Sequence, residues 1–372
     1  MRVLHLLGAT EDNGGILTVL RSLQSVSAAA ELRHEVLVHQ EYQETRRPAL
    51  EYWRSRRLRD ESPNHLDHLV RALPALWELR GMVRRHPVEI IHAHTRGALP
   101  VAIGIASLWR RPVVFTNHTY PRRRGMYRWA AKQPRLRFVV LTPNMARHLG
   151  LSPEADGVHV IPACCADHFF EVPVVERRPV GPGDRIRLVG LGNIVRWKNW
   201  HLLLRALSRL PVETRRRFTF DHWGPVPRDP DCELYRHELE DLARAAAPAG
   251  IRFRGVTLQV EDSLREADWF VLPSTNEPCS VALAESLALG IPAIASASGG
   301  NVDILKPGRT GLLFTSEDPA DLARCLRQLA DHEIQPAGPG EVRDSVRYRS
   351  ASAVSARYLE LYRECLSPPP VA

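Results

Sequence analysis

The chain has 372 residues, 44% of them hydrophobic and 25% charged, with a formal net charge of +8. That is an ordinary globular composition, long enough for about two domains of ~150–200 residues, each with its own core. Several classes are excluded at once. The six cysteines, with Cys164 and Cys165 adjacent, form neither CxxC pairs nor a secreted disulfide framework, so free thiols in a reducing cytosol are expected. The opening MRVLHLLGAT is too short for a signal-peptide core, and no stretch approaches the ~18 apolar residues of a membrane span. Arginine supplies nearly all the positive charge, since Lys132, Lys198 and Lys306 are the only lysines. No nucleic-acid module accompanies it, so nucleic acid is not expected as a partner.

In chain order, RVLHLL reads as a buried strand, followed by the turn GATEDNGG and the amphipathic helix ILTVLRSLQSV. The turn is neither GxGxxG nor GxxxxGK[ST], yet Gly14 and Gly15 allow close backbone approach to a phosphate at a helix N-terminus. An ordinary tight turn is the competing reading. HEVLVH, VEIIHA, PVVFTN, RFVVLT and GVHVIP read as further strands. Short, nearly continuous apolar strands alternating with helices indicate parallel sheets covered on both faces. The polar stretch EYQETRRPALEYWRSRRLRDESPN reads as an inserted loop with one short helix.

His92 and His94 lie on one face of a strand, because the side-chain period is two. Such a pair can bind metal, but no HxHxDH continuation or later histidine–aspartate set completes a site, and no metal is expected. His118 closes the strand in VVFTNHTY, where either a ligand-lining or a structural role is open. The segment PRRRGMYRWAAKQPRLR interleaves arginines with Tyr127 and Trp129. Solvated surface is one reading; the other is an anionic membrane surface or acidic ligand met by Arg122, Arg123, Arg124 and Arg128. The expected location is cytoplasmic, and the second of these readings adds peripheral contact on the cytoplasmic membrane face.

EVPVVERRPVGPGD, with three prolines and two glycines, suits a linker. A second α/β series follows through IRLVGLG, FTFDHWG, IRFRGV, ADWFVLP, IPAIAS and TGLLF. The expected division is 1–172, 173–340 and 341–372, the last being one long helix from about 341 to 365, packing back toward the first domain, with a frayed tail SPPPVA. Two doubly wound domains of this kind place their strand-end crevices around one cleft. Asp229 and Asp231 form a DxD pattern of the kind that can hold a divalent ion, but in a proline-broken loop, where Asp231 can instead cap the following helix. In GLGNIVRWKNWHLLLRAL, Lys198 stands at a helix entry with Arg196 two residues earlier, and an ammonium there suits phosphate oxygens.

TNEPCSVALAESLALGIPAIASASGG then carries two carboxylates around an apolar helix. Ser280 is the expected N-cap and Gly290 the stop. Glu277 precedes the helix, and Glu285 lies about five residues, or ~7 Å, along it. Carboxylates accept paired hydrogen bonds from vicinal hydroxyls, which suits a ribose diol and a sugar. Amides at the helix start and near Gly299 and Gly300 suit what lies between. A nucleotide-sugar meets these demands.

The run EPCSVALAE resembles the E-x7-E motif of retaining GT-B glycosyltransferases of family 4. The order of GG, HAH, TNH, VIP, GLGN…K, ADWFVLPS, E-x7-E, G-IPAIAS, GG-NVD and GRTGLLF is similar too, and covers nearly the whole chain. The resemblance implies an α/β GT-B fold of two Rossmann-like domains facing a cleft, acceptor side first and donor side second. It implies a UDP-, GDP- or ADP-sugar donor, a sugar or lipid-linked acceptor, and no metal cofactor. Glycan, glycolipid or cell-envelope polysaccharide synthesis would be the setting. By the same resemblance Glu277 contacts the donor sugar, Glu285 the ribose, and Lys198 the diphosphate. His118 lines the sugar site, and Gly15 approaches the donor phosphates from the other domain. Cys279, Ser280 and Val281 at the helix start and Gly299 and Gly300 in the facing loop complete the donor contacts. Asn193 stands where the family has an arginine, with Arg196 as a possible substitute. VIPACCAD and Pro278-Cys279-Ser280 also depart from the pattern. Two other classes share the architecture: a sugar-nucleotide-binding protein without transfer activity, and a sugar-nucleotide 2-epimerase.

Overall fold

The computed structural model describes residues 1–372 apart from 13, 28, 30, 46–49, 61–64, 177–180, 182 and 368–372. The expected frayed tail and part of the expected linker lie outside the described residues. The first series of elements is β1 (Arg2–Leu6), α1 (Gly15–Ser25), β2 (Arg33–His39), β3 (Glu51–Ser55), α2 (His65–Arg85), β4 (Ile90–Ala93), α3 (Ala98–Leu108), β5 (Val113–Asn117), α4 (Gly125–Ala131), β6 (Leu136–Val140), α5 (Pro143–Leu149) and β7 (Val158–Val160). The second is α6 (His168–Glu171), β8 (Ile186–Leu191), α7 (Trp200–Ser208), α8 (Val212–Arg216), β9 (Phe218–Trp223), α9 (Pro230–Ala245), β10 (Gly250–Gly255), α10 (Val260–Arg265), β11 (Trp269–Leu272), α11 (Val281–Ala288), β12 (Ala293–Ser296), α12 (Asn301–Ile304), β13 (Gly311–Phe314) and α13 (Pro319–Ala330). Two helices close the chain, α14 (Pro339–Asp344) and α15 (Ala351–Leu366).

The chain forms two compact units, residues 1–166 with 349–372, and residues 167–348. In the first, all strands are parallel in the order β3-β2-β1-β4-β5-β6-β7. In the second, the parallel order is β10-β9-β8-β11-β12-β13. Both are doubly wound α/β sheets, and both reverse direction once: between β1 and β4, and between β8 and β11. At such a reversal neighbouring strand-end loops run to opposite sides and leave a crevice. The core of the second unit gathers Trp200, Phe218, Phe220, Tyr235 and Phe314 between the sheet and its helices.

Three expectations are corrected. The stretch expected to be a loop with one short helix contains β3, paired in parallel with β2, and α2 begins one residue after it. Its strand was hidden because an edge strand buries only part of its surface; Trp53 Nε1 instead donates to Glu35 at 2.9 Å. The single long C-terminal helix is two helices, broken where Ser350 turns extended and caps α15 by accepting from the Ala353 amide. Arg343 on α14 binds the carbonyls of Ala288, Phe170 and Val172 at 2.6, 3.3 and 2.7 Å, so both α6 and α14 pack with the second unit. Finally, α9 is capped by Asp229, whose side chain accepts from the Asp231 amide at 2.8 Å, not by Asp231. Pro230 at the first helical position fixes that choice.

Candidate functional site

The second sheet builds its crevice from three loops that leave the C-terminal ends of β8, β11 and β12. After β8, Arg196–Lys198 forms a single 3-10 turn and Asn199 turns left-handed, φ 55°, to start α7. Asn199 Nδ2 donates to Thr275 Oγ1 at 2.5 Å, and the Thr275 amide donates to the Trp197 carbonyl at 3.0 Å. The loop after β11 is thereby stitched to the loop after β8. It is stitched equally to the loop after β12. The Asn276 amide donates to Ser298 Oγ and the Gly300 amide to the Glu277 carbonyl, both at 2.8 Å. Gly299 has φ +60°, and a Cβ there would stand 2.4 Å from the Glu277 carbonyl oxygen. Only glycine lets these two backbones approach so closely.

This stitching sets Lys198 against Glu277. The ammonium donates to the Glu277 carboxylate at 2.6 Å and lies 4.5 Å from the centre of the Trp197 ring. Ser280 Oγ accepts from the Leu283 amide at 3.1 Å and caps α11, while Gly290 at φ +83° ends it. Glu285, one turn along, is half-buried and has its carboxyl pushed up to about 7 by burial. Partial removal from water disfavours the charged form.

At the first sheet, His5 on β1 stands beside His92 on β4, with His94 two residues on. Three links join four imidazoles: His34 Nδ1 to His5 Nε2 at 2.9 Å, His5 Nδ1 to His94 Nε2 at 2.8 Å, and His94 Nδ1 to His118 Nε2 at 3.1 Å. His92 stacks on His94 but bonds elsewhere, to Tyr362 of α15 and to Thr116, each at 2.7 Å. Burial pushes His34 and His118 down to about 4, and holds His5, His92 and His94 well below the ordinary histidine range. The HxH pair therefore has the neighbour that the sequence did not reveal. Nitrogen atoms of His5, His92 and His94 all lie within 4.8 Å of one another.

Against known proteins, residues 14–167 match the model of Glycosyltransferase Family 4, and residues 185–332 match that of Glycosyl transferases group 1. This chain belongs to those glycosyltransferases. It is 25% identical over 401 aligned positions, 96% of this chain and 94% of the relative, to a D-inositol 3-phosphate glycosyltransferase of Paenarthrobacter aurescens (strain TC1). Its fold is that of GT-B glycosyltransferase structures. Sucrose-phosphate synthase from Thermosynechococcus elongatus superposes with a TM-score of 0.78 at 18% identity, covering 98% of this chain and 99% of that one. Anabaena Alr3699/HepE, solved with UDP and glucose, gives a TM-score of 0.70 at 16% identity, covering 98% and 100%.

Within this glycosyltransferase, Lys198, Glu277, Cys279, Ser280, Val281, Glu285, Gly299 and Gly300 all belong to the three loops of the second sheet or to α11. Cys279 and Ser280 are buried there. Asn193 lies in the loop after β8, and its carbonyl accepts from Trp200 Nε1 at 3.1 Å. Arg196 is turned to α9, donating to Glu238 at 2.8 Å over the Tyr235 ring. In the first unit, Gly15 opens α1 with open space where a Cβ would be, and His118 follows β5. Asp229 and Asp231 are exposed. His5 and His34 escaped sequence reasoning because their proximity depends on strand register, although each alternates within a buried strand.

Proposed function

We propose that this glycosyltransferase moves a sugar, with retention, from a nucleoside-diphosphate sugar to an acceptor hydroxyl. The observation that carries the reading is the Lys198–Glu277 pair at the reversal of the second sheet, with Glu285 on the adjoining helix. Lys198 and the N-terminus of α11 suit the diphosphate, which takes up charge as it leaves. Glu285 suits the ribose diol and Glu277 the hydroxyls of the transferred sugar. The acceptor hydroxyl then attacks from the face on which the diphosphate departs. Uridine is the first base to test, because the Anabaena protein was solved with UDP. Sugars, lipid-linked sugars and inositol phosphates form the acceptor set, the last from the name of the Paenarthrobacter relative.

No divalent ion is required in this reading. Asp229 is occupied as a helix cap, and Lys198 supplies positive charge for the leaving group. EDTA should leave turnover unchanged; loss restored by Mn²⁺ or Mg²⁺ would overturn this part. A thermal-shift panel of UDP-, GDP- and ADP-sugars tests the donor, since a ligand at ~100 times its Kd adds ~2.7 kcal/mol. One observation favours a second reading, binding without transfer: Asn193 replaces the family arginine, and Arg196 is engaged by Glu238. Donor binding without product on any acceptor would select it, and an epimerised sugar formed from donor alone would select the epimerase.

A further inference from the structure

We propose that His34, His5 and His94 form a one-way hydrogen-bond chain that fixes His118 as its Nδ1–H tautomer. His118 then offers a ligand oxygen an N–H donor and cannot act as a base. A neutral imidazole has one donor and one acceptor nitrogen. Each of the three links needs one N–H facing one lone pair, and in every link an Nδ1 faces an Nε2. Only two arrangements satisfy all three. Either every ring carries its proton on Nδ1, or every ring carries it on Nε2.

The inner end decides between them. His34 Nε2 is buried without a hydrogen-bond partner among the described residues. With all protons on Nε2, that end buries an N–H with no acceptor. With all protons on Nδ1, it buries only a lone pair. Orphaned buried donors are rarer and more costly than under-used acceptors. The Nδ1 arrangement is therefore the stable one, and its outer end is His118 Nδ1–H. The same blind end makes the chain a lock and not a proton conduit. A proton passed inward from His118 would emerge at His34 Nε2, where no described residue accepts it.

The groups packed around the chain do not break it. His92 spends its nitrogens on Tyr362 and Thr116, and Thr116 Oγ1 meets Tyr358 at 3.1 Å. A bound ion is the geometric rival. A tetrahedral ion with bonds of about 2.0–2.1 Å spaces its nitrogen ligands about 3.3–3.4 Å apart. His5 Nδ1 and His94 Nε2 are 2.8 Å apart, a hydrogen-bond distance. That the oxygen belongs to the transferred sugar rests on the functional reading above; the tautomer does not.

The test is a two-bond ¹H–¹⁵N spectrum of the full-length, ligand-free protein with ¹⁵N-histidine, His118 being assigned by the signals lost in His118→Gln. The expected result is a protonated Nδ1 and an unprotonated Nε2. His94→Asn keeps a donor near the Nδ1 position and should preserve this pattern. His94→Leu removes it and should shift His118 toward the Nε2–H form that water favours. In turnover, His94→Leu should fall roughly tenfold in kcat while His94→Asn recovers most of it. An Nε2–H signal at His118 in the unsubstituted protein, an unchanged tautomer in His94→Leu, or stoichiometric Zn²⁺ uptake that shifts the linked rings would overturn the proposal. If a variant fails to fold, the unsubstituted spectrum alone decides the polarity. If the tautomer is as expected but no transfer is found, the functional reading fails and the lock stands.

Discussion

The Lys198 ammonium and the Glu277 carboxylate are each other's counter-ion, 2.6 Å apart, with side chains only 12% and 10% exposed. Each neutralises the other where water screens poorly. On the donor reading proposed above, a diphosphate entering the crevice would compete with Glu277 for the ammonium. The loosened carboxylate would then be released toward hydroxyl donors on the same ligand. On that reading one ion pair would couple recognition of the phosphate to recognition of the sugar.

That coupling separates two substitutions. Glu277→Gln keeps the shape but gives up the negative charge, so kcat should fall roughly 10²-fold as electrostatic support for the reacting sugar is lost. The free nucleoside diphosphate should bind this variant at least as tightly as the parent, because Lys198 no longer has a carboxylate competing for it. Lys198→Ala should bind the same nucleotide markedly less well and melt lower, since Glu277 is left without its cation. Calorimetry with the matching nucleotide reads both, and weaker binding by Glu277→Gln than by Lys198→Ala would contradict the coupling.

Glu285 should make nucleotide affinity depend on pH near neutrality. Burial holds its carboxyl at about 7, and on the proposed donor reading only the carboxylate would accept from both ribose hydroxyls. Affinity should rise as pH increases through 7 and fall below it, by up to about tenfold per unit in the limiting range. Glu285→Gln should bind more weakly at pH 8 and lose this dependence, leaving only the titration of the nucleotide itself. Identical pH slopes in the two proteins would refute the assignment.

The sequence made the second unit legible because its site is local. Ser280, Gly290 and the strands before and after them obey capping and burial rules that act over a few residues. Glu277 and Lys198 could be placed at strand ends, but their bond could not be foreseen. It depends on Thr275 bonding Asn199 and Trp197 across 76 and 78 positions of chain. The histidine chain was illegible for the same reason in stronger form. Its links span 29, 89 and 24 residues, and only strand register brings them together. β3 was missed because edge exposure leaves Tyr52 and Trp53 half-buried among polar neighbours.

The basic segment gives a prediction about membranes. Arg122, Arg123, Arg124 and Arg128 are exposed and Trp129 is about half exposed, whereas Tyr127 is buried toward Phe115. Tyr127 therefore anchors α4, and only Trp129 can serve as an aromatic contact. Arginines near an anionic surface contribute about 1 kcal/mol each, screened by salt. Flotation with phosphatidylserine vesicles should show binding that weakens with salt and on neutralising these four arginines. Equal binding to neutral vesicles would remove the electrostatic account.

The buried histidines should set the acid limit of the first unit. His34 and His118 are held at about 4 in the fold against an ordinary value of 6.5, with desolvation as the cause. Between those values the unfolded chain binds more protons than the folded one, so stability falls as pH decreases. It is fully present above 6.5 and is lost progressively down to about 4, at up to ~1.4 kcal/mol per pH unit for each histidine that stays neutral. His5, His92 and His94 act in the same direction. Among the described residues of the second unit, His222 is also held at about 4 by burial and His201 is lowered by the same cause. Melting followed by hydrogen exchange from pH 7.5 to 4.5 should therefore show strands β1, β2 and β4 losing protection more steeply than β11 and β12. His34→Phe should flatten that slope by about one proton if it folds. A slope equal in both units would show that the histidines are protonated without cost to the fold.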